Sequence, residues 1–185
     1  MFRYFIWASA VFLLLVLLII LIFHGGKSKA PLLTSQQLIG YASTDAVARL
    51  TIDGPINADQ NHQAVEINVG KNSVTFEQLS GYNGQVVNLQ TFVSTEAAYN
   101  VFLHALALAG FTNGNSSPSA SNDLGYCPLG DRYVFEFNYN GNDLQRYWST
   151  SCGGLGTYSG NLGLTLTLFQ AQVPNYDTLV QNVTF

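Results

Sequence analysis

From Tyr4 to Phe23 the chain runs twenty residues without a charge, dense in Leu, Ile, Val and Phe. As an α-helix this run is about 30 Å long, the thickness of a bilayer's hydrocarbon core. Tyr4 and Trp7 sit near one end, where amphipathic rings favour the headgroup zone. The run exceeds the ~7–15 apolar residues of a cleaved signal peptide. Pro31 follows Ser28-Lys29-Ala30, the best small-residue cleavage site, and hinders processing there. The pattern predicts a transmembrane signal anchor over 1–23, with the membrane itself as partner for residues 4–23. His24-Gly25-Gly26 and Pro31 break that helix, so 24–45 reads as a tether, with a short helix of modest apolar face possible at 32–42.

Beyond the tether the period changes to two. Ala48, Leu50 and Ile52 alternate with Arg49, Thr51 and Asp53, and Gly54-Pro55 ends this strand. Val65, Ile67 and Val69 repeat the pattern, then Val74 and Phe76 after the turn Gly70-Lys71-Asn72. The spacing from Phe76 to Leu79 breaks alternation and predicts a bulge. Asn83-Gly84 predicts a tight hairpin turn into Val87, Leu89, Thr91 and Val93. Residues 46–93 thus read as an antiparallel meander.

A helical period follows. Ser94 is the predicted cap, Ala98, Val101, Phe102, Ala105 and Ala109 the predicted buried stripe, and Gly110 the stop. Residues 112–126 show no apolar period and read as an exposed, mobile loop. Tyr133, Phe135, Phe137 and Tyr139 share a strand face, Asn140-Gly141 turns, and a second strand runs to Ser149. Leu162, Leu166, Phe169 and Val173 mark another helix, ended by Pro174. Tyr176–Phe185 reads as a short helix or a final strand. The predicted class is α+β: an antiparallel β-sheet, meander plus hairpin, with two main helices packed on one face and one transmembrane helix before it. Residues 46–185, about 140, form a single domain large enough for its own core.

Charge narrows the partners. After Ala30 the chain holds four Lys/Arg against eleven Asp/Glu, a net charge of −7. No basic cluster exists to displace counterions, which excludes nucleic acid as a partner. Flanking basic residues leave the orientation ambiguous, with Arg3 on one side of the apolar run and Lys27 and Lys29 on the other. The short amino-terminal tail, the acidic domain and two cysteines point to an extracytoplasmic domain at the cell membrane.

Cys127 and Cys152 flank the predicted hairpin, whose ends lie close, so a disulfide between them is expected. A catalytic Cys152 would need His62 or His104 as base, and the four side chains lack paired zinc-ligand spacing. The Gly-rich run 153–160 lacks the Lys-Ser/Thr of a P-loop, and Ser159 is not centred in Gly-x-Ser-x-Gly. Asp131, Glu136 and Asp143 show no paired-carboxylate spacing. No catalytic, cofactor-binding or metal site is expected. The aromatic stripe from Tyr133 to Tyr139 is assigned to the core. The expected contact surface is Tyr126, Pro128, Leu129, Gly130, Tyr147, Trp148 and Tyr158, within loops 111–130 and 152–160, facing a protein partner in the envelope.

Asp53-Gly54-Pro55-Ile56, Gly81-Tyr82, Ala97-Ala98-Tyr99, Phe102-Leu103-His104-Ala105-Leu106, Cys127-Pro128-Leu129-Gly130 and Ser149-Thr150-Ser151-Cys152-Gly153-Gly154 together carry a resemblance. The chain resembles a group of signal-anchored envelope proteins of ultrasmall epibiont bacteria, to which no activity is assigned. That resemblance implies an envelope location and no chemistry. Locally, Cys127-Pro128-Leu129, the hairpin 131–150 and Cys152 are similar to the reactive-loop region of the subtilisin-inhibitor-like family. This implies Leu129 as the residue inserted into a serine protease's primary pocket. The family's other disulfide is missing here.

Overall fold

The computed structural model describes residues 33–117, 120–153 and 156–184, with Leu13 and Val16. The predicted transmembrane run lies outside the described residues. Among those described, no helix is long and apolar enough to cross a membrane.

Six strands form one antiparallel sheet: β1 (Val47–Asp53), β2 (Gln63–Val69), β3 (Ser73–Ser80), β4 (Gln85–Val93), β5 (Arg132–Tyr139) and β6 (Asn142–Thr150). Their spatial order is β4-β3-β2-β1-β5-β6. The meander and the hairpin therefore join through β1 and β5, with Leu50 opposite both Ile67 and Phe135. Alternation decides the faces. Leu50, Ile67, Phe76, Phe135 and Phe137 turn to one side and are fully buried. The expected bulge lies between Gln78 and Leu79.

Helices cover that apolar face: α1 (Ser35–Gly40), α2 (Glu96–Ala109), α3 (Leu162–Gln170) and α4 (Tyr176–Leu179). One core unites Leu38 of α1, Phe102, Leu103 and Leu106 of α2, and Phe169 of α3 with the strands. The α+β class and the antiparallel sheet agree with the sequence.

Several local expectations change. Residues 33–45 fall in one compact unit with the sheet, and so belong to the domain rather than to a tether. Leu33, Leu38 and Ala42 are core residues, and Thr34 closes a capping box with Gln37. The α2 cap is Thr95, not Ser94: its hydroxyl accepts the Ala98 N–H at 3.2 Å. Ser94 instead ends the meander, donating its N–H to Asn72 O at 3.0 Å. The buried stripe of α2 is Tyr99, Phe102, Leu103, Leu106 and Ala109, which leaves the expected Ala98 and Val101 exposed. The larger side chains take the sheet-facing positions, and one of them is pinned by a bond from the Tyr99 hydroxyl to Ala46 O at 2.8 Å. The β3–β4 connection is a four-residue loop, Gly81 to Gly84, not a two-residue turn. The β5–β6 turn is as expected, with Asn140 and Gly141 both at positive φ (51° and 75°).

Candidate binding surface

Opposite the helices, the sheet's second face carries a polar row with one residue from every strand. Arg146, Glu136, Arg49, Asn68, Thr75 and Thr91 are successive cross-strand partners from β6 to β4. Arg49 Nε donates to Asn68 Oδ1 at 2.7 Å, and Asn68 Nδ2 donates to Thr75 Oγ1 at 3.2 Å. Glu136 stands between two guanidinium groups, 3.7 Å from Arg49 and 3.3 Å from Arg146. Burial nevertheless raises the Glu136 carboxyl above its ordinary pKa, with the two arginines opposing.

The segment expected to be a mobile loop folds across this face over β6. Arg146 donates to Ser121 O and to Asp123 Oδ1, both at 2.6 Å, and Trp148 Nε1 donates to Ala120 O at 2.7 Å. Asn115 N and Thr157 O bond at 2.8 Å, so the same stretch also meets the Gly-rich segment. No apolar period marked this loop because polar groups on β6 hold it.

Burial corrects three members of the expected contact surface. Tyr147 and Trp148 are buried, at 3% and 4% exposure. Tyr147 points to the core side beneath Gly114, where a Cβ would lie 2.6 Å from the ring. Trp148 points to the other side beneath the loop, with Tyr126 against it at 4.9 Å between centroids. Tyr158 is half-buried, its hydroxyl 2.7 Å from Thr165 Oγ1 and its ring 4.5 Å from Phe135. A strand at the sheet edge would normally expose one side of each ring, but loops close both sides here.

The remaining members gather at the disulfide. Cys127 and Cys152 are bonded, with Cα atoms 5.7 Å apart. Gly130 N donates to Cys127 O at 3.1 Å, closing a turn whose tip is Pro128-Leu129. Leu129 is 90% exposed. Gly130 packs where a Cβ would meet Ser151 Oγ at 2.4 Å and Cys127 Sγ at 2.8 Å, so only glycine fits. Asp131 N donates to that Ser151 hydroxyl at 2.8 Å, and Ser151 N donates to Asp131 O at 3.0 Å. On the other flank, Ile56 N donates to Pro128 O at 2.8 Å. The turn is therefore braced from two directions.

Beneath it lies a cluster that the sequence did not reveal. Asp53 ends β1, and its carboxylate accepts from Arg132 Nε at 3.0 Å and also from Nη2, while His62 Nε2 lies 2.7 Å from the other oxygen. A carboxylate only accepts, so Nε2 carries the proton in that bond. Arg132 is 2% exposed and also donates to Gly54 O at 3.1 Å. His62 stacks on Tyr82 at 4.0 Å, and the Tyr82 hydroxyl donates to Asn57 O at 2.9 Å. Next to the cluster, burial raises Asp131 and pushes the Tyr133 phenol up to about 12, helped by Asp131. The available signals were a charged residue at one end of each of two strands, Asp53 closing β1 and Arg132 opening β5, and the Asp53-Gly54-Pro55-Ile56 run.

His62 and Arg132 lie inside, while Asp53 keeps partial contact with solvent and Tyr82 is exposed. Among the described residues no group of three His, Cys, Asp or Glu side chains forms a metal site. His104 is exposed on α2, remote in sequence and in fold from these groups. Ile56, Tyr82, Tyr126 and Leu129 are large apolar side chains left exposed around the braced turn.

Compared with protein-family models and with curated proteins, the chain matches none.

Proposed function

We propose that this is a single-span envelope protein, anchored through residues 4–23, whose extracytoplasmic domain binds a protein partner without catalysing a reaction. The observation that carries the binding reading is Leu129, a bare apolar side chain on a turn braced by a disulfide and by the β1–β2 loop. Holding such a residue in place before binding avoids ordering cost on association, and apolar or aromatic anchors dominate interface energies. Pro128, Gly130 and Tyr126 flank it; Ile56 and Tyr82 extend it. The disulfide supports an oxidising compartment, hence the outward placement.

The test uses intact cells. A photo-reactive residue at Leu129 should capture a discrete protein, and the same residue at His104 on α2 should not. Equal capture from both positions overturns the assignment of the surface. Failure of an impermeant protease to reach the domain in those cells overturns the outward placement.

A second reading, a serine-protease inhibitor with Leu129 in the primary pocket, draws support from the same exposure. The turn weighs against it. A protease takes its target strand extended, whereas the Cys127 carbonyl here is occupied by Gly130 N. Titrating subtilisin-like proteases with the protein decides the matter: undiminished activity at micromolar excess removes this reading.

A further inference from the structure

The two edges of the sheet are finished differently. On β6, Thr157 N and Tyr158 N donate to Trp148 O at 2.8 and 2.9 Å, and Trp148 N donates to Thr157 Oγ1 at 3.0 Å. That edge is closed at Trp148. On β4, among the described residues, no backbone hydrogen bond arrives from the side away from β3. Native sheets blunt such an edge with charge, proline or brevity. β4 has nine residues and carries neither proline nor charge. Its one protective device is the irregularity opposite Gln78 and Leu79, which leaves Asn88–Val93 as a regular stretch.

We propose that β4 pairs with β4 of a second copy of this chain, antiparallel, about a two-fold axis through Thr91. In a continuous sheet, opposed residues must lie on the same face, so the axis has to pass through a residue rather than between two. Placing it at Thr91 keeps the pairing within the regular stretch. Leu89 then faces the partner's Val93, Gln90 faces the partner's Phe92, and Thr91 faces itself. Leu89 and Val93 are 54% and 93% exposed, so the pairing covers apolar side chains that nothing described covers now. Apolar and Thr–Thr cross-strand pairs both stabilise a sheet.

Charge permits a second copy as the occupant, and the self-pairing matches apolar Leu89 with Val93. The domain is acidic, yet between Glu77 and Glu96 no residue is charged, so two copies approach along this edge without opposing like charges. Glu77 and its symmetry mate end at least three strand spacings apart, about 14 Å, beyond the ~8 Å Debye length at physiological salt. The polar row of the open face then continues from Thr75 and Thr91 into the second sheet.

Crosslinking of the full-length chain in its membrane tests this. Both native cysteines are in the disulfide, so one introduced cysteine is the only free thiol among the described residues. Thr91→Cys should give a disulfide-linked dimer on mild oxidation, at least tenfold over His104→Cys on α2. Leu89→Lys in detergent-solubilised protein should halve the sedimenting protein mass relative to wild type. Thr91→Cys linking no more than His104→Cys, or wild type sedimenting as a monomer at tens of micromolar, overturns the proposal. Should Leu89→Lys fail to fold, the crosslinking comparison still decides.

Discussion

Asp53 and Arg132 are direct cross-strand partners in β1 and β5, and the guanidinium reaches the carboxylate through both Nε and Nη2. This pair joins the meander to the hairpin at the end of the sheet where the disulfide and the exposed turn lie. Its members differ in solvent contact, with side-chain exposure of 2% for Arg132 and 23% for Asp53.

That asymmetry predicts unequal costs. Asp53→Ala leaves a buried guanidinium without its counter-charge and should lower stability by about 3–5 kcal/mol. Arg132→Met leaves a carboxylate that still holds His62 and reaches water, so its cost should be smaller. Urea midpoints of the two variants check this, and equal costs would argue against burial as the deciding factor.

The disulfide closes a loop of 25 residues. Chain-entropy arguments give such a bridge about 3.5 kcal/mol. The Cys127→Ser, Cys152→Ser double variant should therefore unfold at lower denaturant by that amount. Its turn should also lose amide protection at Gly130 and Ile56, measured by hydrogen exchange, because the brace on both flanks depends on Cys127 staying in place.

Trp148 and Arg146 hold the loop that crosses the open face. Trp148→Phe keeps an aromatic six-membered ring but removes the pyrrole half of the indole, and with its N–H the 2.7 Å bond to Ala120 O. The expected cost is about 1 kcal/mol, with faster exchange or proteolytic nicking confined to residues 120–126. Nicking at unchanged rate in the variant would mean that Arg146 alone secures the segment.

Glu66 and Glu77 are directly opposed across β2 and β3. Burial raises the Glu77 carboxyl above its ordinary 4.5, Glu66 adds to this, and Arg49 opposes it. A raised folded-state pKa means the protonated form is favoured in the fold. The associated stability is present in acid, below the unfolded value, and is lost as pH rises through the folded value. Solvent around the partly exposed Glu77 screens the repulsion, so Glu77→Gln should raise the urea midpoint only slightly near neutral pH and not at all near pH 4. A gain of the same size at both pH values would assign it to packing instead.

Period-two alternation was enough to place β1, β2 and the first half of β3, and to assign Phe135 and Phe137 to the core, because one face of an antiparallel sheet must be apolar. The spacing break after Phe76 located the bulge, and Cys127 with Cys152 located the disulfide, since a hairpin brings its own ends together. Those inferences depend on neighbours along the chain or across one turn. The tertiary structure alone decided which face of α2 is buried, since Ala98 and Tyr99 lie on adjacent stripes that are both apolar. It also decided the fate of Tyr147 and Trp148, because edge-strand burial depends on loops whose anchors are Arg146, Asp123 and a carbonyl at Ala120. Asp53, His62 and Arg132 meet only after β1 and β5 pair, and such long-range juxtaposition of polar groups leaves no period in the sequence.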